Sequence, residues 1–247
     1  MNRKLIESLT QAVYIAKKDA RVYYFKQPVI MFGIIFPTFL YFSFSIGREI
    51  SPSVFLPALV AVTSFFASGS IEVVSLSMER GAGTLDRLIT APVSLSTIIL
   101  GKALAGCGFG FILSMIFTGI IMPLSGFPLK EPFLFVIGVA LSSLTFAALG
   151  MPISVYAKTP PEAMMPLNLL RFPMMFLCGV FIPFEALPIS LQAIARLLPL
   201  TYSVELLRQA ATGSVILQTL LLDIAALILF LLALLLIATK MLRKSIQ

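Results

Sequence analysis

Long runs of uncharged residues alternate with short charged connections along this chain. A helix needs about 20 residues to cross the roughly 30 Å hydrocarbon core of a bilayer. Backbone groups in that core must pair within their own segment, so uncharged runs of this length predict helices rather than strands. Six runs approach or exceed this length, three of them interrupted by a single charged residue, and they are Gln27–Gly47, Ile50–Met78, Ala103–Leu129, Pro132–Ala157, Ala163–Phe184 and Val215–Thr239. The pattern predicts an all-α integral membrane protein whose residues 27–247 form six transmembrane helices.

Residues 1–26 precede the first run and are too polar to cross a bilayer. Apolar residues recur three or four positions apart from Leu5 to Tyr24, whereas Glu7, Lys18 and Arg21 fall largely elsewhere. This spacing predicts an amphipathic helix that lies along the cytoplasmic interface of the membrane. Periodicity leaves two roles open for the helix, a membrane anchor and a lever that contacts a cytoplasmic partner.

The basic residues are distributed unequally between the two ends of the predicted bundle. With the N-terminus inside, 14 of the 18 Lys and Arg residues fall on one side and 4 on the other. Short loops rich in Lys and Arg remain in the cytoplasm, so we expect both termini there, which agrees with an even number of spans. The expected location is the cell (plasma) membrane.

Composition supports a lipid environment and excludes several classes of function. Charged residues make up 12% of the chain and the mean hydropathy is +1.02, whereas soluble domains are roughly 25% charged. The net charge of +7 lies in clusters between apolar runs, which indicates contact with lipid head groups rather than with nucleic acid. The chain has no histidine, and its two cysteines lie inside apolar runs. We therefore expect no catalytic or metal site.

Three charged residues fall within the predicted spans. They are Glu72 near the end of the second span, Arg171 in the fifth, and Asp223 in the sixth. A charge at the bilayer centre costs roughly 2.5–3.5 kcal/mol on insertion scales. Each residue either lines a polar pathway or joins an inter-helix ion pair, or it reaches the interface along its own side chain.

The connection between the second and third spans predicts a short helix below the membrane, within residues 79–93. Gly81 and Gly83 allow a sharp turn, and Thr84 is expected to cap the helix. Pro92 ends the helix, and Ser94 is expected to cap the third span. The sequence leaves two interpretations open, a plain polar loop and a helix on which a partner acts.

The segment after the fifth span, residues 181–208, is too apolar for a solvated loop and contains several prolines. We predict short re-entrant helices that dip into the outer leaflet, because irregular backbone is tolerated there only when protein or a water-filled cavity covers it.

Two motifs resemble those of the type-2 ABC exporter permeases. The first reads Glu79-Arg80-Gly81-x-Gly83-Thr84-Leu85-Asp86-x-Leu88, followed by Ala91-Pro92-Val93-Ser94. The second reads Phe181-x-Pro183, Leu187-Pro188, Leu198-Pro199-x-Thr201-Tyr202 and Leu207-Arg208. The resemblance extends over essentially the whole chain, including the number of spans and the leading amphipathic helix.

The resemblance implies the membrane subunit of an ATP-driven exporter for an amphipathic or lipid-like compound or a drug. Two permease chains, identical or different, would pair, and each would bind one cytoplasmic ATPase subunit that holds ATP and Mg. The resemblance makes the first motif a coupling helix, whose candidate ATPase contacts are Glu79, Arg80, Gly81, Gly83, Thr84, Leu85, Asp86, Arg87 and Leu88. It makes the second an outer gate region, represented by Phe181, Pro183, Pro188, Pro199, Tyr202 and Arg208. The turn at residues 158–162 would be a smaller contact.

The sequence agrees with an ATPase on another chain, since it contains no GxxxxGK[ST] phosphate-binding loop. The alternative function is an ion-coupled secondary transporter. Such a transporter would need paired acidic residues at the midplane or broken helices in symmetric halves. Only Glu72 and Asp223 are candidate acids, and we find no symmetric halves.

Overall fold

The computed structural model describes residues 2–31, 35–45, 52–181 and 184–245. These residues form α-helices joined by turns, with one 3-10 turn at Phe184–Ala186 and no strand. In chain order the helices are α1 (Asn2–Tyr23), α2 (Gln27–Ile30), α3 (Phe36–Ser45), α4 (Pro52–Gly81), α5 (Thr84–Thr90), α6 (Leu95–Ser125), α7 (Pro132–Ser154), α8 (Pro160–Leu177), α9 (Ile189–Ala195), α10 (Pro199–Thr212) and α11 (Leu217–Lys244).

Four of these helices, α4, α6, α7 and α11, are long and apolar enough to cross a membrane. They match the second, third, fourth and sixth predicted spans, so the prediction of an all-helical membrane protein is confirmed. The first predicted span contains α2 and α3 but lies partly outside the described residues. The fifth corresponds to α8, which has 18 residues and contains Pro166 and Pro173. The count of six therefore stays a prediction.

Helix α4 forms the centre of the bundle and packs against α6, α7, α8 and α10. In the apolar 18-residue stretch of α4, 94% of the stretch is buried inside the chain. In the corresponding stretch of α11, 22% is buried. The many serines of α4 are compatible with this burial because their hydroxyls donate to backbone carbonyls of the same helix. Examples are Ser70 to Phe66 at 2.5 Å and Ser77 to Val73 at 2.6 Å.

The glycines of α6 let two helices approach closely. A Cβ at Gly101 would lie 2.7 Å from the Ala12 carbonyl oxygen of α1. A Cβ at Gly106 would lie 2.8 Å from the Ser68 carbonyl oxygen of α4. Small residues thus let both α1 and α4 pack closely against α6.

Helix α1 confirms the predicted N-terminal helix, and its two faces differ sharply. The face against the bundle buries Ala12, Ile15, Asp19 and Tyr23. Part of the predicted apolar stripe points away from the bundle instead, since Val13 is 57% exposed. A helix at a membrane interface needs an apolar face that contacts lipid, and the rest of the chain leaves this face of α1 uncovered.

Candidate functional site

The turn between α4 and α5 depends on a glycine with a left-handed backbone. Gly83 has φ +68 and precedes α5, so a residue without a Cβ is favoured there. The expected Thr84 cap is wrong, because the Thr84 hydroxyl donates instead to the Glu79 carbonyl oxygen at 3.2 Å. The other two predictions are confirmed: α5 ends at Thr90, before Pro92, and the Ser94 hydroxyl accepts from the Thr97 amide at 3.1 Å.

Helix α5 presents its charges outward and buries one leucine. Asp86 and Arg87 are exposed, whereas Leu85 is 2% exposed. Leu85 belongs to a cluster with Leu76 of α4, Ile99 of α6, Met151 of α7 and Leu242 of α11. Since interior side chains are closely packed, Leu85 anchors α5 in a cluster to which four long helices contribute.

The α4–α5 turn also touches the connection between α7 and α8. A Cβ at Gly81 would collide with the Lys158 carbonyl oxygen. The Arg80 guanidinium donates to the Val155 carbonyl oxygen and lies over the Tyr156 ring, 5.8 Å from its centroid. The two connections that the sequence placed on one side of the membrane therefore lie together.

A group of four charged residues joins α1, α4 and α6 beside α5, and we call it the ionic cluster: Lys18, Asp19, Glu79 and Lys102. Lys102 Nζ lies 3.0 Å from Asp19 Oδ2 and 2.7 Å from Glu79 Oε2. Lys18 Nζ lies 2.7 Å from Asp19 Oδ1 and also pairs with Glu79 Oε1. Two ammonium groups thus balance two carboxylates, and of the four side chains only that of Lys18 is substantially exposed, at 43%.

Sequence reasoning missed most of the ionic cluster. Glu79 was a candidate contact for a partner, yet it is 3% exposed and faces other residues of its own chain. Lys102 was placed before the third span, but α6 begins at Leu95, which carries Lys102 two turns into the helix. A signal was present at Asp19, which lies four residues after Ile15 on the buried face of α1.

Tyr23, the last residue of α1, contacts the ionic cluster. Its hydroxyl donates to Glu79 Oε1 at 3.5 Å. Burial, reinforced by the Glu79 carboxylate, raises the pKa of the Tyr23 phenol above its ordinary value. The phenol therefore keeps its proton and remains a hydrogen-bond donor to Glu79.

Glu72 lies two turns along α4 from Glu79 and is fully buried. Its Oε1 accepts from the Gly106 amide at 3.1 Å, where α6 packs closely against α4. Within the described part of the chain, Oε2 has no hydrogen-bond partner. Glu72 therefore joins two helices and does not reach the interface.

Arg171 is also fully buried, and it joins α8 to α4. Its Nη2 donates to the carbonyl oxygens of Phe65 and Phe66 at 3.1 and 3.2 Å, and its Nη1 donates to Ser70 Oγ at 3.2 Å. The guanidinium lies over the Phe66 ring, 4.6 Å from the centroid. Among the described side chains it has no carboxylate partner, so backbone dipoles and aromatic rings stabilise the charge.

The predicted outer gate region forms α9 and α10 after the turn at Phe184. Pro188 is the residue before α9, and Pro199 begins α10, where its missing amide is not needed. The Tyr202 hydroxyl donates to the Arg196 carbonyl oxygen at 2.7 Å, and Arg208 Nη2 donates to the Gly179 carbonyl oxygen at 3.2 Å. Pro183 lies outside the described residues, and Phe181 precedes that gap.

Asp223 lies against this region and not among lipid-facing residues. It is 4% exposed, and its Oδ2 accepts from Gln209 Nε2 of α10 at 3.0 Å. A cavity of about 440 Å³ opens beside it, and we call it the Asp223 cavity. Its polar and aromatic wall is formed by Phe184, Arg196, Tyr202, Glu205, Arg208 and Asp223.

The fold and both motifs define a polytopic membrane permease, and comparison with known families identifies its class. Residues 8–212 match the ABC-2 type transporter family, and the chain belongs to that family. It is therefore the membrane subunit of an ABC exporter, a transport component that is not itself catalytic. Members of the family normally work with ATP-binding subunits. The family gives no support to the ion-coupled alternative.

Individual relatives resemble the chain at low identity. Nodulation protein J of Rhizobium leguminosarum bv. viciae is 27% identical over 215 residues, which cover 82% of this chain and 79% of that protein. Nodulation protein J of Bradyrhizobium diazoefficiens is 31% identical over 157 residues, covering 62% of this chain and 60% of that protein. The probable multidrug ABC transporter permease YbhR of Escherichia coli K12 is 24% identical over 159 residues, covering 62% and 42%. The last two matches thus span less than two thirds of the relatives' lengths.

Proposed function

We propose that this permease exports an amphipathic or lipid-like compound or a drug, driven by a separate ATPase that pushes on α5. ATP and Mg are held by that partner and not by this chain. In this arrangement α5 and both termini face the cytoplasm, and the Asp223 cavity faces the outer side of the cell membrane. Six spans result if the region of α2 and α3 and the helix α8 also cross the bilayer, with α9 and α10 as re-entrant helices.

The packing of Leu85 carries this proposal. A partner that binds the exposed Asp86 and Arg87 can displace α5. The Leu85 cluster, to which α4, α6, α7 and α11 contribute, then transmits that displacement to the bundle. The remaining residues of the motif keep α5 in place: Glu79 belongs to the ionic cluster, Arg80 and Gly81 contact the α7–α8 connection, and Gly83 makes the turn. Charged groups on a short exposed helix suit a partner that binds and releases in each cycle.

A groove beside α5 provides a place for part of the ATPase. It encloses about 420 Å³ between α1 and α5, and its wall includes Lys18, Val22, Arg87 and Leu88. The ionic cluster lies at its base and fixes α1 to α4 and α6. This connection favours the lever among the two roles open for α1, because a load on α1 is transmitted to the bundle.

A second permease chain completes the proposed exporter, and membrane lipid surrounds it. Helix α8 leaves Met165, Leu169 and Phe176 at least 56% exposed, and these residues are suited to a partner helix or to lipid. The charged residues of the predicted spans, Glu72, Arg171 and Asp223, are buried inside the chain's own bundle. A transport pathway between two chains is therefore easier to form than one within a single chain.

Charge reversal on α5 tests the proposal. The variant Asp86→Arg with Arg87→Glu, co-expressed with the partner ATPase, should insert and assemble normally while ATP hydrolysis no longer drives transport. The matched control reverses Lys130 and Glu131 at the opposite end of the bundle, and it should transport normally. Normal coupling in the α5 variant would contradict the assignment of α5.

A further inference from the structure

The Asp223 cavity is lined by two arginines and two acidic residues, and one arginine pairs with one acidic residue among the described side chains. Arg208 Nη1 lies 3.5 Å from Glu205 Oε2, which pairs those two side chains. Arg196 lies over the Phe184 ring, 5.8 Å from the centroid, and has no salt-bridge partner among the described side chains. Asp223 accepts a hydrogen bond from Gln209, but it too lacks an ionic partner in the described ranges. Among the described side chains, the cavity therefore presents one guanidinium and one carboxylate that lack an ionic partner.

Arg208 also lines the same cavity. Its Nη2 donates to Gly179, whereas its Nε is buried and bonds to no group in the described part of the chain. A buried N–H without an acceptor is unfavourable, because it has given up its hydrogen bond to water. An anionic group between Arg196 and Arg208 would face both guanidinium groups.

An apolar stripe leads away from the cavity along α11. Leu222 lines the cavity and is 56% exposed. Leu229 and Leu236 follow at intervals of seven residues, on the same face of the helix, and they are 69% and 62% exposed. The stripe extends about 21 Å at 1.5 Å per residue, which exceeds the roughly 15 Å thickness of one leaflet's hydrocarbon.

We propose that the Asp223 cavity binds the zwitterionic head group of an amphiphile. The anionic part, a phosphate or carboxylate, lies between Arg196 and Arg208, and an ammonium group pairs with Asp223 near the Phe184 and Tyr202 rings. The apolar chain of the ligand lies on Leu222, Leu229 and Leu236. A volume of about 440 Å³ accommodates such a head group. This binding site does not depend on the coupling role of α5.

A fluorescent reporter can be placed in the wall of the cavity because the chain has no tryptophan. Phe184→Trp puts one indole beside Arg196, and Phe133→Trp provides a control that is exposed at the start of α7. The purified full chain in a maltoside detergent is titrated with phosphoethanolamine, with glycerol 3-phosphate as an anion that lacks the amine, and with ethanolamine. We expect phosphoethanolamine alone to give saturable quenching in Phe184→Trp, and no probe to affect Phe133→Trp.

Two substitutions then separate the two charges. Asp223→Asn keeps an oxygen for Gln209 and removes the carboxylate, so it should weaken phosphoethanolamine binding roughly tenfold or more. Arg196→Gln should have a similar effect through the anionic part, whereas Glu131→Gln, an exposed charge outside the cavity, should have none. Equal binding of glycerol 3-phosphate, or an unchanged affinity in Asp223→Asn, would overturn the proposal.

A short-chain phosphatidylethanolamine identifies the source of the ligand. If its chains strengthen binding at least tenfold over phosphoethanolamine, the ligand comes from the membrane. If the chains add nothing, the site takes a water-soluble zwitterion, and the assignment of the leucine stripe is withdrawn. Native mass spectrometry of the unsubstituted chain repeats the titration without the reporter, and the absence of any adduct there would overturn the proposal as well.

Discussion

Lys102 Nζ lies 2.7 Å from Glu79 Oε2, and both side chains are almost completely buried where α6 meets the end of α4. Asp19 approaches the same ammonium group from α1, at 3.0 Å. One lysine thus connects three helices directly beside α5. Because each charge has its counter-ion, the connection holds only while all three helices keep their positions.

We expect Lys102→Met to destabilise the protein strongly. It leaves Asp19 and Glu79 buried with Lys18 as their one cation, and breaking a buried pair typically costs about 3–5 kcal/mol. Thermal unfolding in detergent measures the effect. Lys240→Met, which removes an exposed lysine of α11, should leave the unfolding temperature unchanged.

The combination of Lys102→Met with Asp19→Asn should recover part of this loss, because it removes a buried charge together with its partner. A combined effect equal to the sum of the two single effects would show that the two residues are not coupled.

Arg171 and Gly69 should be coupled in a similar way. A Cβ at Gly69 would lie 2.6 Å from Arg171 Nη2, so Gly69→Ala should displace the guanidinium from its carbonyl acceptors. The substitution should therefore destabilise the native chain by about 1–3 kcal/mol and do much less in an Arg171→Met background.

Unfolding temperatures of the two single variants and of the double variant complete this cycle. Gly119→Ala is the control, because a Cβ there meets nothing within 4 Å. An equal effect of Gly69→Ala in both backgrounds would be evidence against the contact.

The two glycines after α4 should respond differently to substitution. Gly83 has open space around it but a left-handed backbone, so Gly83→Ala should cost about 1–2 kcal/mol and Gly83→Asn less. Gly81→Ala should do more damage, because its methyl group would collide with the backbone of Lys158. Stability and ATP-driven transport, measured on the same preparations, test this order. If Gly83→Asn proved as harmful as Gly83→Ala, backbone conformation would not be the cause.

The proposed orientation predicts which cysteines an impermeant thiol reagent reaches in intact cells. In a background without Cys107 and Cys178, Glu131→Cys should be labelled from outside, and Ala82→Cys only after the cells are permeabilised. Both positions are exposed at connections of the bundle, so accessibility of the residue itself does not bias the comparison. Labelling of Ala82→Cys in intact cells would reverse the proposed topology.

The sequence by itself determined the class of protein and most of the long helices. A run of about 20 apolar residues is stable in lipid as a transmembrane helix, and this depends on the composition of that segment. Turn chemistry was equally local, so the end of α5 before Pro92 and the cap at Ser94 followed from the residues themselves.

Only the tertiary structure decided what the charged residues do. Glu79 and Asp86 lie in the same connection and are both acidic, yet one is buried against Lys102 and the other is exposed. Asp19 and Lys102 are 83 positions apart, and Gln209 meets Asp223 from a different helix. A charge acquires its partner from the way the helices pack against one another, and the periodicity of a single helix does not specify that packing.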